Sequence, residues 1–227
     1  MNFCNHIFAL FCGFRIKHIL NSHLFPFHTH KTSVADNKLI SNQPDIILWE
    51  AYQKGDHDSF ALLFRRYYEP LVQYGSKLTS NNDVLEDCIQ ELFTELWQNK
   101  SQTQVQSVKA YLFKSLKYKL YRAHQRKTAT VFNENHIDVL FELSHETLLV
   151  SRELDAEKTA RVLQALGQLS NRQKEIIYLK FYQELNYEEV SEIMNINYQA
   201  ARNLLYQSIK SLKKLLTTLT FIWFLFF

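Results

Sequence analysis

Four glycines and three prolines in 227 residues leave this chain little from which to build tight turns; average usage would give about 12% of the two together. A sandwich or barrel of many short strands needs a turn-maker every few residues, so a helical chain is the default. The glycines, Gly13, Gly55, Gly75 and Gly167, lie too far apart to form a phosphate-cradling loop. Walker-type and dinucleotide-type nucleotide sites are thereby excluded.

The length fits one or two domains. Hydrophobic residues at 46% and aromatics at 14% supply a core for each of two small ones, more than a disordered chain carries. The net charge of +3 is too small to imply a partner, so the distribution of charge matters more than its sum. Cys4, Cys12 and Cys88 make no CxxC pair and no disulfide framework, which points to structural thiols in a reducing, cytoplasmic compartment. The apolar run Ile7 to Phe14 has no preceding positive charge and no small-residue cleavage site after it, a poor secretory signal. Leu219 to Phe227 is apolar but far below the ~18 residues that span a bilayer.

Along the chain, residues 1–43 hold five of the nine histidines and no sustained helical period. His28 and His30 lack a nearby Cys or carboxylate to complete a metal site, so the segment reads as a poorly ordered extension, with neither metal nor cofactor expected. From Pro44 the pattern changes. Asp45 to Gln53 and Asp58 to Lys77 carry apolar residues at helical spacing, with Pro70 marking a break or a first-turn position. Asp83 to Gln98, capped by Asn81 or Asn82, places Leu85, Ile89, Leu92, Phe93 and Leu96 on one face and Asp87, Glu91, Thr94, Glu95 and Gln98 on the other.

Val105 to Lys127 predicts a long helix with a core stripe of Val108, Leu112, Leu116 and Leu120, seven positive charges and no acidic residue. Opposite the leucines lie Lys114, Lys117, Tyr118, Tyr121 and Gln125, so basic and aromatic groups share a face expected to be exposed. That face is either an ordinary solvated surface or a platform on which unpaired bases stack while cations hold the backbone. Residues 128–152 have no consistent period and read as a linker.

A second helical block starts near Glu153 and ends its first helix near Gly167. Ser170 with Gln173, and Asn186 with Glu189, have capping-box spacing and open two further helices. Asn195-Ile196-Asn197 makes a turn, and a last helix runs from Tyr198 to about Leu216, with Gln199, Asn203, Tyr206 and Lys210 facing outward beside Arg202. A short helix, a three-residue turn and a longer basic helix form a helix-turn-helix candidate or a plain helical hairpin. On DNA, Arg202 suits guanine, Gln199 or Asn203 suits adenine, and Lys210, Lys213 and Lys214 suit phosphates. The preceding segment, with Glu184, Glu188, Glu189 and Glu192, is too acidic to lie deep against phosphate. No Cys/His or Ser/His pair shares a local frame, so the sequence gives no support to an enzyme.

Ser59 to Gly75, Asp83 to Trp97 and Val108 to Arg122 together resemble domain 2 of the sigma-70 family in its small extracytoplasmic-function (ECF) group, and Leu169 to Leu216 resembles domain 4 of the same group. The resemblance implies an all-α chain of two small helical domains joined by a flexible linker: residues 44–127 as domain 2, 128–152 as linker, 153–216 as domain 4 and 217–227 as an apolar tail expected to pack as a cap. It implies a promoter-specificity subunit of core RNA polymerase, with the polymerase docking on Asp87, Gln90, Glu91 and Glu95. Lys114, Lys117, Tyr118, Tyr121, Arg122 and Arg126 would hold the opened −10 element. Tyr198, Gln199, Arg202, Asn203, Tyr206 and Lys210 would read the −35 element in duplex form. A membrane-bound anti-sigma factor is a further expected partner; a stand-alone helix-turn-helix regulator is the alternative. Asn195 stands where the family usually has Gly, and Ser191 where Ala is usual.

Overall fold

The computed structural model describes residues 43–99, 104–128, 141–142 and 156–226. Eight helices account for the regular structure of these residues, and no strand occurs among them. The first four are α1 (Asp45–Gln53), α2 (His57–Gly75), α3 (Asn82–Asn99) and α4 (Val108–Thr128); the second four are α5 (Ala156–Gly167), α6 (Asn171–Phe181), α7 (Tyr187–Met194) and α8 (Tyr198–Phe226). The expected extension lies outside the described residues except for Gln43, as does the expected linker except for Phe141, Glu142 and the end of α4.

Local chemistry sets most of the boundaries. The Asp56 carboxylate accepts the backbone N–H of Ser59 at 3.0 Å to start α2, and the Asn81 side chain accepts that of Val84 at 3.0 Å to start α3. Both expected capping boxes form, Ser170 with Gln173 at α6 and Asn186 with Glu189 at α7. The break expected at Pro70 does not occur, because α2 runs through it to Gly75. Proline removes one intrahelical hydrogen bond at a cost of about 3 kcal/mol. The helix buries Leu63, Tyr67, Leu71 and Tyr74, each contributing about 1.5–3 kcal/mol, and that packing outweighs the loss. The helix expected to end near Leu216 continues to Phe226, since no Gly or Pro follows to stop it. The side chains of the apolar tail, and hence its expected packing as a cap, lie outside the described residues.

Helices α1 to α4 enclose one core. The leucine stripe of α4 is buried as predicted, and so are the five predicted core residues of α3, Leu85, Ile89, Leu92, Phe93 and Leu96. The Tyr52 hydroxyl donates to the Leu96 carbonyl at 2.8 Å, tying α1 to α3. Arg66 and Tyr67 both reach the Asp45 carboxylate, tying α2 to the start of α1. Gly75 is required by close approach: a Cβ there would collide with the Leu85 side chain and sit 3.3 Å from that of Leu116.

Helices α5 to α8 enclose a second apolar cluster that includes Leu166, Ile176, Leu179, Leu185, Val190, Ile193, Ala201 and Leu205, all buried. The two clusters are joined by a row of aromatic rings. Tyr74 stacks on Phe113 of α4 at 5.0 Å and on Tyr178 of α6 at 6.2 Å, and Phe141 packs on Tyr178 at 5.6 Å. Phe141 is 1% exposed, and the neighbouring Glu142 N–H donates to the Lys77 carbonyl at 3.0 Å. The described part of the expected linker is therefore held in the seam between the two helical blocks. Residues Gln43–Phe227 cluster as one compact unit.

Candidate nucleic-acid interface

The helix-turn-helix is the more completely formed of the two predicted DNA surfaces. The turn rests on Asn195, which adopts the left-handed conformation at φ 51°, ψ 51°. Asparagine is among the few non-glycine residues that tolerate it. Asn197 then caps α8 by accepting the Ala200 N–H at 2.7 Å, and the Tyr187 and Tyr198 rings meet edge to face at 5.7 Å across the turn. Tyr198, Gln199, Arg202, Asn203, Tyr206 and Lys210 are all exposed on the first turns of α8. Gln199 donates to the Asn203 side chain at 3.1 Å, and the Arg202 guanidinium lies 5.9 Å from the Tyr198 ring centroid. Polar fork, amide pair and aromatic ring thus share one solvent-facing strip, while Ala201, Leu205 and Ser208 face the core.

The basic helix α4 departs from expectation at one residue. Lys114, Arg122 and Arg126 are exposed and Tyr118 and Tyr121 are half-buried, with the Arg122 guanidinium 4.8 Å from the Tyr118 ring centroid. Lys117, expected on the same open face, is 5% exposed. Its Nζ donates to both carboxylate oxygens of Glu175 on α6, at 2.7 and 2.9 Å. The Tyr74 hydroxyl donates to the same carboxylate at 2.7 Å. The wheel of an isolated helix places Lys117 outward; the second helical block, packed over that part of α4, makes it interior.

Two further contacts tie the start of α4 to the second block. The Ser107 hydroxyl donates to Glu189 of α7 at 2.7 Å, and Lys109 Nζ donates to the Gln183 carbonyl at 2.7 Å. Burial lowers the Lys109 pKa, outweighing the opposing pull of Glu189, Glu184 and Asp45. Helical spacing puts Tyr74 on the buried stripe of α2, as found, but gives no sign of its contact with Glu175; sequence reasoning missed Phe141, Glu175 and Gln183. Glu175 alone left a trace, as an acidic residue between Lys174 and the apolar pair Ile176-Ile177.

The acidic face of α3 is as predicted: Asp87, Glu91 and Glu95 are exposed and Gln90 is half-buried. Lys119 of α4 sits 2.7 Å from Glu95 and 3.4 Å from Glu91. These carboxylates remain 50% and 55% exposed, and surface pairs of this kind contribute about 0–1 kcal/mol, so the face stays available to a partner. Between α3, α4 and the end of α7 runs a groove of about 820 Å³, lined by residues that include Lys114, Tyr118, Arg122, Glu91 and Asn195. Among the described residues no cluster of His, Cys, Asp and Glu could hold a metal ion. No helix among them is long and apolar enough to cross a membrane.

Residues 63–130 match the family described as Sigma-70 region 2, and residues 159–212 match that described as Sigma-70, region 4. The two matches cover most of α2 and all of α3 and α4 in one block, and most of α5, all of α6 and α7 and the first half of α8 in the other. The chain belongs to the sigma-70 family of RNA polymerase sigma factors, in its ECF group, and its partners are core RNA polymerase and promoter DNA. It is 24% identical over 166 residues to RNA polymerase sigma factor YlaC of Bacillus subtilis (strain 168), covering 70% of this chain and 93% of that one. Its fold is similar to that of CnrH, solved in complex with the cytosolic domain of CnrY, with TM-score 0.52 and 19% identity over 77% of this chain and 97% of that one. A further match is the sigma factor RpoE from Bartonella quintana, solved with the anti-sigma factor NepR, with TM-score 0.47 and 23% identity over 70% of this chain and 96% of that one. Sigma factors are transcription initiation factors rather than catalysts.

Proposed function

We propose that this chain directs promoter-specific initiation through three surfaces. The strip on α8 (Tyr198, Gln199, Arg202, Asn203, Tyr206, Lys210) reads the −35 element in the major groove of duplex DNA. The exposed and half-buried members of the α4 set (Lys114, Tyr118, Tyr121, Arg122, Arg126) hold unpaired bases of the −10 element, while Lys117 is buried against Glu175. The acidic α3 face (Asp87, Gln90, Glu91, Glu95) docks on the polymerase. The observation that carries the reading is the α8 strip: six exposed residues able to donate, accept or stack, presented just after a left-handed turn, the geometry in which a recognition helix enters the major groove. Extruding a base costs a few kcal/mol, and stacking on tyrosine returns about 1–3 kcal/mol per base while cations hold the strand.

On this reading the chain acts in the cytoplasm, carries no cofactor and catalyses nothing itself. An anti-sigma factor is a further partner on this reading; CnrH, whose fold is similar, was solved with the cytosolic domain of a second protein bound. The test is reconstitution with core polymerase and genomic promoter fragments from the same cell. Co-elution with the core enzyme and run-off transcripts from defined start sites are expected. Tight binding to duplex DNA with no effect on the polymerase would instead support a stand-alone helix-turn-helix regulator.

A further inference from the structure

Helix α8 changes character along its length. Its first turns place Ala201, Leu205 and Ser208 in the core of the second block. Between Ile209 and Leu216 no residue is buried, and Lys210, Lys213 and Lys214 are exposed. The backbone stays helical to Phe226, so at 1.5 Å per residue the chain runs on for about 27 Å beyond Ser208. From Tyr198 onward the sequence holds Arg202, Lys210, Lys213 and Lys214 and no acidic residue. After Lys214 no side chain is charged: Leu215 to Thr220 mix leucines with threonines, and Phe221 to Phe227 are apolar without exception, Trp223 among four phenylalanines. Phe221 to Phe226 continue the helix for more than one turn, so this end is apolar all round rather than on one face.

We infer that the end of α8 is a membrane-surface anchor, which enters one leaflet of an anionic bilayer while Lys213 and Lys214 bind the lipid phosphates. A helix end that is apolar on every side needs apolar surroundings on every side; a groove on another protein supplies them on one side, and hydrocarbon supplies them on all. The length fits entry rather than crossing. From Lys214 to Phe226 the helix rises about 18 Å, well short of the roughly 30 Å hydrocarbon core, and no helix among the described residues is long and apolar enough to cross a membrane. The order of residues follows the layers of a bilayer surface: lysines first, then threonines, whose hydroxyls can bond the carbonyl one turn back, then Trp223 and the phenylalanines. Cations beside a short aromatic and aliphatic insert are the two signals that together hold a protein at an anionic interface. The attachment does not depend on how α8 reads DNA.

The test is flotation of the full chain with vesicles of phosphatidylcholine alone, or of phosphatidylcholine and phosphatidylglycerol in equal parts, across a series of lipid concentrations. The parent is expected to float with the mixed vesicles. Lys213→Gln combined with Lys214→Gln should weaken that binding by about thirty-fold and leave binding to phosphatidylcholine alone as in the parent. Phe224→Asp, which puts a carboxylate into the apolar end, should weaken binding to the mixed vesicles by about a hundred-fold. Both variants are expected to melt at the parent's temperature in the absence of lipid. Failure of the parent to float with the mixed vesicles overturns the anchor, as does equal binding by the parent and Phe224→Asp. A lower melting temperature for Phe224→Asp without lipid would show this end packed against its own chain. A parent that sediments as a dimer while Phe224→Asp sediments as a monomer would show it covered by a second copy. Either result overturns the anchor.

Discussion

Lys117 of α4 and Glu175 of α6 form a salt bridge at 2.7 Å in which both side chains are 6% exposed, and Tyr74 of α2 completes it by donating to the same carboxylate at 2.7 Å. Three helices from two regions, 58 and 101 residues apart in sequence from Glu175, meet at one carboxylate. Placing an ion pair in the interior is costly, and the attraction repays that cost only when the remaining hydrogen-bonding capacity is also satisfied. Among the described residues no buried side-chain nitrogen or oxygen lacks a partner, so this one is.

Removing one member of the pair should therefore cost far more than removing both. Lys117→Met is expected to lower stability by about 3–5 kcal/mol, because Glu175 is left as a buried unpaired charge, whereas Lys117→Met with Glu175→Leu should recover most of the loss. Urea denaturation of the single and double variants checks this. A single variant that unfolds in two separate steps would show the loss as uncoupling of the two regions. An additive double variant would rule the coupling out.

Alkaline pH offers a second measurement. Burial, and then Glu175, hold the Tyr74 phenol well above its ordinary value of 10.0, and burial raises Tyr67 and Tyr178 as well. Below pH 10 these groups are protonated in both states and their contribution is complete. Above it the unfolded chain releases protons that the folded chain retains, so stability falls as pH rises, by about 1.4 kcal/mol per pH unit for each group. Tyr74→Phe removes one such group: its denaturation midpoint at pH 7 should drop through loss of the hydrogen bond to Glu175. Between pH 10 and 11 its stability should decline less steeply than that of the parent. Equal slopes would mean the phenol is not protected.

What the sequence made legible was periodic or local, and what it hid was contact between distant helices. The stripe Val108, Leu112, Leu116 and Leu120, the two capping boxes and the turn at Asn195 all follow from spacing within one element. Lys117 fits that logic too, but a helical wheel describes a helix with nothing on its polar side. Phe141 is hidden for the opposite reason: it stands in a stretch without period, and burial of one aromatic ring in a seam leaves no repeat to detect. Of the three proposed surfaces, the α8 strip was the most legible, because each residue lies within one helix and none is covered by another.

The turn residue Asn195 makes a prediction independent of the interface. At φ 51° it occupies a region that costs an ordinary L-residue about 1–2 kcal/mol. Asn195→Gly should be neutral or stabilising by up to about 1 kcal/mol, net of the extra freedom glycine has in the unfolded chain. Asn195→Val should destabilise by about 1–2 kcal/mol or more, since a β-branched residue is a marked outlier there. Thermal unfolding monitored at the helical band separates the two, and equal melting temperatures would show that the turn is not under this constraint.

Two residues on α8 should report different parts of promoter recognition when changed. Arg202 is exposed near the start of the helix and Lys210 two turns further on; on the docking proposed above, Arg202 would reach base edges and Lys210 the phosphate backbone. Arg202→Ala should cost about 1–3 kcal/mol on a cognate −35 duplex and nearly nothing on an unrelated one, thereby relaxing specificity. Lys210→Ala should weaken both by the same factor and reduce the slope of log affinity against log salt by about one. Fluorescence anisotropy across a salt series gives both quantities from one set of titrations. If the two variants behaved alike, with the same loss on both duplexes, the strip would be a generic cationic surface and Arg202 would have no role in reading bases.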